Sequence, residues 1–447
     1  MNYLKRDIDK ELLKWKNSKK RKPILLRGAR QVGKTQSVQH LGEQFEYYIE
    51  INFEENKQIH SLFEGNLFPA EICENLSAVY GVPIISGKTL LFFDEIQACI
   101  SAIQSMRFFY EKIPDLHLIA AGSLLEFAIS EIPSFGVGRI RSLFMFPFSF
   151  NEFLSALNEN YLLEIKRKAN PHSPLAEPIH EKLLSYLKKF LIIGGMPEVI
   201  STYLETRDLN ISRQILDDLL LSFYDDFAKY KKRIQAHKLQ QVFNLIARQS
   251  GIKFVYKNAS LSNNIHQTKR ALELLEQAGL VIPIVHSSAN GLPLGAEANF
   301  KRQKIMLLDT GLLLRILDLD ISDIILSKEF NTINKGNLAE IFVGLELLKY
   351  SSSYKKSNLY YWHREAKSSN AEVDYLFAKG NNILPIEVKA GTRGSMQSMS
   401  LFMKAKNIKH GLRISAENFS RYKNIEVYPL YAVENIVNPD NLEKYVL

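Results

Sequence analysis

Residues 28–35 read Gly-Ala-Arg-Gln-Val-Gly-Lys-Thr and fit the pattern G-x-x-x-x-G-K-[ST] in full. The apolar run from Pro23 to Leu26 delivers the backbone into this glycine-bounded loop. Gly28 and Gly33 let the loop fold back with its N–H groups pointing inward, because glycine takes the positive φ angles that a tight nest needs. Ala29, Arg30, Gln31 and Val32 supply the intervening backbone donors, and Gln36 follows in the first helical turn. Such a cradle suits a triphosphate such as ATP. Lys34 brings a mobile positive charge to the β- and γ-phosphates, and Thr35 places a hydroxyl on Mg²⁺. The helix beginning near Gly33 adds the positive end of its dipole.

The second constraint lies at Thr89 to Gln97, TLLFFDEIQ. Five apolar or near-apolar residues in succession describe a strand buried on both faces of a parallel sheet. Asp94 and Glu95 stand at its carboxyl end, where ligands bind in open α/β sheets. Both carboxylates are therefore expected to face the loop. Asp94 holds Mg²⁺ through water in this reading, and Glu95 polarises the attacking water.

A chain of 447 residues exceeds one ordinary core, so two to three domains are expected. Hydrophobic content of 46% and charged content of 23% describe a globular protein rather than a disordered one. The first twenty residues are charged throughout, and no apolar run approaches the ~18 residues of a membrane span, so a cytoplasmic protein without membrane partners is expected. Cys73 and Cys99 are the only cysteines, too few for a disulfide framework or a cysteine-rich zinc site. The net charge of +9 permits DNA contact, although scattered surface lysines give the same sum.

In chain order, a helix is expected over Asp7 to Lys22 and a second strand over Phe45 to Phe53, FEYYIEINF. A helix from Ser101 to Lys112 and a strand from Leu116 to Ala121 follow. This alternation predicts a parallel sheet covered by helices. Ser123, just past the last of these strands, either reaches the γ-phosphate or the attacking water, or it caps the next helix. Arg139 and Arg141 alternate on an expected extended segment, GVGRIR. They are either surface arginines on an edge strand or arginine fingers for a neighbouring subunit's nucleotide. Asn151 to about Ser222 reads as helical, interrupted at Gly194-Gly195-Met196-Pro197, and forms an expected lid.

GARQVGKT, LLFFDEIQ, AGSLLEF, GRIRSLFMFPFSFNEF and GGMPEV together resemble the AAA+ P-loop ATPases that carry a DUF4143-type C-terminal region. The resemblance implies an AAA+ core with Ser123 as the sensor-one equivalent, and it suggests self-association; the residues read as catalytic are Lys34, Glu95, Ser123 and Arg139.

From Ala236 the spacing gives helices at His237 to Gln249 and Gln267 to Ala278, with strands Leu280 to His286 and Ile305 to Leu308 flanking a loop, Ser287 to Lys304. This is a winged-helix pattern. Its second helix either lies in a DNA groove, with Lys269 and Arg270 on phosphates and His266 and Gln267 facing bases, or serves as a spacer. Further on, Glu340 sits on an amphipathic helix, Asp374 on a strand, and Glu387 and Lys389 on the next. That arrangement resembles the PD-(D/E)XK nuclease fold, without the proline of its name. If the two strands pair, Asp374 and Glu387 converge on Mg²⁺, Glu340 supports it, and Lys389 orients a water. The expected architecture is α/β. It comprises a parallel-sheet AAA+ core (1–150), a helical lid and connecting helix (151–232), a winged-helix domain (233–325) and a restriction-endonuclease-like α/β domain (326–447).

Overall fold

A computed structural model describes residues 3–130, 132, 138–230, 234–255, 265–319, 337–364, 371–392 and 394–437. The chain divides into two compact units, one built mainly from residues 1–147 and the other mainly from 148–447. Pro133 to Val137 and the domain boundaries expected at 232/233 and 325/326 lie outside the described residues.

The first unit holds a five-stranded sheet of β1 (Ile24–Arg27), β2 (Tyr47–Asn52), β3 (Thr89–Asp94), β4 (His117–Ala121) and β5 (Arg141–Phe144). Their spatial order is β2-β3-β4-β1-β5, and every pairing is parallel. Every residue of β3 and β4 is buried, as uninterrupted apolar runs in a helix-covered sheet require. Helices α1 (Asp7–Lys16), α2 (Lys34–Gly42), α3 (Pro69–Tyr80), α4 (Ile100–Lys112) and α5 (Leu125–Ser130) connect or flank the strands. On one side Phe53, Phe63, Phe93 and Phe109 meet edge-to-face at centroid separations of 5.3–6.0 Å, a geometry worth ~1 kcal/mol per pair beyond burial. α1 is shorter than expected. Beyond Lys16 the chain turns, and the Arg21 guanidinium donates to the Lys16 and Ser18 carbonyls.

His117 shows what this packing costs in charge. It is 3% exposed, its Nε2 lies 3.1 Å from the Lys16 carbonyl oxygen, and the rings of Trp15 and Phe45 meet it edge-on. Burial pushes its pKa from 6.5 down to about 4. The folded state therefore disfavours the imidazolium. Stability is full above pH ~6.5 and declines as pH falls through 4, by on the order of 2–3 kcal/mol at most. Urea midpoints at pH 7.5 and 4.5 are expected to separate less for His117→Leu than for the natural chain. Equal separations would contradict this assignment.

The second unit begins with helices Phe150–Ala156, Asn160–Lys168, Glu177–Ile193, Pro197–Thr206 and Leu209–Asp226. The break at Gly194-Gly195 is stereochemical: Gly194 has φ +71°, and a Cβ on Gly195 would lie 2.4 Å from the Phe148 carbonyl oxygen. Asp309 fixes the same corner, accepting from the Gly195 N–H at 2.6 Å and the Leu312 N–H at 3.1 Å.

An eight-stranded mixed sheet follows, in the order β12-β13-β11-β10-β9-β8-β6-β7. Its members are β6 (Val281–Ser287), β7 (Ala298–Leu307), β8 (Leu359–His363), β9 (Glu372–Lys379), β10 (Asn382–Val388), β11 (Gly411–Ser415), β12 (Ser420–Tyr422) and β13 (Ile425–Pro429). Here the expected loop Ser287 to Lys304 is corrected, because residues 298–304 form most of β7 and pair with β6. The polar run NFKRQK hides this part of the strand from hydropathy, and its one buried residue is a charged one, Lys304. The β6–β7 hairpin also joins β8 edge to edge, so these strands share one sheet with the C-terminal strands.

Candidate functional site

The loop after β1 is held from both sides. A Cβ on Gly28 would lie 2.3 Å from the Met145 carbonyl oxygen, so only glycine admits this approach. Gln31 and Gly33 take φ of +64° and +95°, and α2 starts directly at Lys34. Val32 is fully buried and Ala29 nearly so, while Gln31 and Gln36 are exposed. Arg6, nearly buried at the start of α1, donates to the Val32 carbonyl at 2.9 Å and the Phe146 carbonyl at 2.7 Å, fastening the loop to the chain beyond β5. Lys34 is 7% exposed, and its ammonium donates to the Gly28 and Ala29 carbonyls at 3.0 and 2.8 Å. Burial pulls its pKa down to about 8, against the pull of Glu95 and Asp94. A group so placed is poised to gain from an anion.

The loop and the acidic strand end meet. Thr35 Oγ1 donates to Asp94 Oδ2 at 2.9 Å, and the Glu95 N–H donates to Asp94 Oδ1 at 3.0 Å. Asp94 is 5% exposed, and burial raises its pKa to about 6 while the Thr35 hydrogen bond opposes that rise. Glu95 has φ +46°, which turns its side chain back toward β4. There its Oε2 accepts from Gln97 Nε2 at 2.5 Å and from Ser123 Oγ and N at 3.3 and 3.4 Å. Lys34, Thr35, Asp94, Glu95 and Ser123 thus form one constellation, with the Ser123 hydroxyl turned to the glutamate. Gln97, which sequence reasoning passed over, closes it.

Arg139 stands apart from that group. It lies in a turn rather than on β5, which begins at Arg141, so the expected alternation of the two arginines does not occur. Its guanidinium pairs with Glu111 of α4, whereas Arg141 lies over the Tyr354 ring.

The second unit assembles the other predicted group. β9 and β10 pair antiparallel, and Asp374 Oδ2 accepts from the Val388 N–H at 2.7 Å. Lys389 Nζ donates to Glu387 Oε1 at 2.7 Å. Glu387 Oε2 is buried with no hydrogen-bond partner among the described residues, and burial together with Asp374 raises its pKa. Glu340 meets a residue to which sequence reasoning assigned no site role: Lys304, 2% exposed, contacts Glu340 Oε1 at 2.7 Å and Glu372 Oε1 at 2.5 Å. Burial alone would lower the Lys304 pKa, but Glu340, Glu372 and Asp374 outweigh it and hold the ammonium charged. Among the described residues, no group of three or more His, Cys, Asp or Glu is arranged to hold a metal ion. On helix Ile265–Gln277, His266, Lys269 and Arg270 are exposed, Arg270 pairs with Glu273, and Gln267 accepts from Lys238.

An all-parallel sheet with β4 inserted between β1 and β3, a glycine-bounded loop opening α2 and a threonine-to-aspartate contact together define a P-loop nucleotide-binding core. The chain carries an AAA domain at residues 20–154, followed by two domains of unknown function, DUF8612 at 184–323 and DUF4143 at 335–433. It is 24% identical over 398 residues to the uncharacterized protein MJ1544 of Methanocaldococcus jannaschii, covering 85% of this chain and 77% of that one. Among solved structures, the Walker-type ATPase PABY2304 of Pyrococcus abyssi is 14% identical with a TM-score of 0.46, covering 70% of this chain and 96% of that one. The Orc1 protein of Aeropyrum pernix in complex with DNA is 12% identical with a TM-score of 0.27, covering 70% and 90% respectively. Among the described residues, no helix is long and apolar enough to cross a membrane.

Proposed function

We propose that the first unit binds ATP and hydrolyses it with Mg²⁺. The Thr35–Asp94 contact of 2.9 Å carries this reading, because it joins the phosphate loop to the acidic strand end in the pairing that a magnesium nucleotide needs. A hydroxyl beside a buried carboxylate is a hard-oxygen donor set suited to Mg²⁺. Thr35 and Asp94 would hold the ion, which neutralises β- and γ-phosphate charge when bound. Loop N–H groups and Lys34 bind the triphosphate, the ammonium leaving the Gly28 and Ala29 carbonyls for phosphate oxygens. Glu95 orients and polarises the attacking water once it exchanges Gln97 and Ser123 for that water. Phosphate release from ATP, measured with Mg²⁺ and then with excess EDTA, tests the proposal. Release is expected only with the metal, and its absence in both conditions would overturn the reading.

A second reading concerns the DUF4143 region. Antiparallel pairing of β9 and β10 brings Asp374, Glu387 and Lys389 together, which favours a nuclease-like, metal-dependent site acting on DNA presented by the preceding winged-helix-like helices. Labelled duplex and single-stranded DNA incubated with Mg²⁺ or Mn²⁺ should be cut, and Lys389→Ala should abolish cutting. Cleavage that survives this substitution would place the active site elsewhere.

A further inference from the structure

The second unit has a basic cleft at the end of its sheet away from Asp374 and Glu387. Lys379 lies five residues beyond Asp374 along β9, roughly 17 Å of extended chain, and pairs there with Asn382 at the start of β10. β11 and β13 run parallel to β10, so their first residues reach the same end. The cleft has a volume of about 710 Å³, in the range of small-molecule sites. Lys379, Lys406, Lys409 and Arg421 line it, and among the described residues the only carboxylate beside them is Glu426, 7% exposed. Lys379 Nζ donates to the Ile436 carbonyl at 2.9 Å, and Lys406 Nζ donates to Asn290 Oδ1 at 2.6 Å. Asn290 in turn donates to Glu297 from its backbone N–H at 2.9 Å and from Nδ2 at 3.0 Å. The amide thus fixes Lys406 in place without neutralising it. Among the described residues, Lys406, Lys409 and Arg421 form no direct ion pair. Burial lowers the Lys379 pKa while Glu426 opposes that fall, so this ammonium gains from an added anion.

We propose that this cleft is a second ligand site, which takes a nucleoside monophosphate. Its phosphate would meet the lysine and arginine groups in charge-assisted hydrogen bonds. Asn381, Asn382 and Asn407 also line the cleft, and their side-chain amides make no hydrogen bond among the described residues. Each offers a donor and an acceptor to the edge of a base, and Ile383 and Ile408 offer apolar contact to its ring. An inorganic anion would use the charge alone, whereas a nucleotide uses charge, amides and apolar surface together. A duplex interface spreads instead over roughly 1,000–2,500 Å² of protein surface. The inference rests on neither the ATP reading of the first unit nor the metal-dependent reading of Asp374 and Glu387.

The test is isothermal titration of the full chain, without Mg²⁺, with AMP, GMP, CMP and UMP in turn and with sodium phosphate. A Lys34→Ala background removes the cation of the phosphate loop from the measurement. At least one nucleotide is expected to bind at one per chain and more tightly than phosphate. Adding Lys406→Ala or Arg421→Ala is expected to weaken it about tenfold or more, the scale of losing one hydrogen bond to a charged group. Should either variant fail to fold by circular dichroism, Lys409→Ala decides, since that side chain makes no hydrogen bond among the described residues. No nucleotide binding, phosphate binding as tight as the best nucleotide, or affinity unchanged in the folded variants would each overturn the proposal. So would a ten-nucleotide single strand that displaces the bound nucleotide more effectively than free nucleotide does.

Discussion

Lys34→Ala is expected to reduce ATP turnover by at least about a hundredfold, the scale of losing one preorganised donor to developing charge. The ammonium is nearly buried and donates to two loop carbonyls, and burial has already pulled its pKa down to about 8 against the pull of Glu95 and Asp94. A triphosphate supplies the counter-charge that the carbonyls do not, and binding energy is released at that atom. Alanine removes this gain while leaving the glycine-built loop and its N–H donors in place. Fluorescent ATP-analogue titration and phosphate release should therefore both fall. Turnover equal to that of the natural chain would contradict the role given to Lys34.

Glu95→Gln separates binding from chemistry. Glutamine keeps the length of the side chain and its contacts with Gln97 and Ser123, but it cannot act as a base toward water. Turnover is expected to fall by about 10²–10⁴-fold, the range attributed to general acid–base assistance. ATP affinity should change little, because Glu95 faces Gln97 and Ser123 rather than the loop carbonyls. Single-turnover mixing would show nucleotide retained and unhydrolysed. If affinity collapsed together with turnover, Glu95 would belong to the binding set instead.

These two residues were legible in the sequence because each stands in a contiguous pattern whose physics is local. A glycine-bounded turn entering a helix and a buried strand ending in acids both announce where their side chains point. Gln97 was not legible in that way. Its approach to Glu95 depends on the left-handed backbone at Glu95, which no residue type there requires. Arg6 was hidden for a different reason, since its two carbonyl partners lie 26 and 140 residues further along the chain. Lys304 was hidden twice. Its strand is polar enough to read as a loop, and its acidic partners come from a helix and a strand much later in sequence. The Asp374, Glu387 and Lys389 grouping, by contrast, could be drawn from alternation along two neighbouring strands, and the pairing of β9 with β10 supplied the proximity. Arg139 marks the opposite failure: alternation was read into a segment that turns before its strand begins.

The central claim is that Thr35 and Asp94 enclose one magnesium triphosphate with Lys34. A crystal structure of the full chain grown with Mg²⁺ and a non-hydrolysable ATP analogue tests it most directly. The account predicts the triphosphate wrapped by residues 28–35, the metal on the Thr35 hydroxyl with Asp94 facing it, and the Lys34 ammonium moved from the loop carbonyls to phosphate oxygens. A nucleotide bound elsewhere, or one bound here with its metal remote from both Thr35 and Asp94, would contradict it.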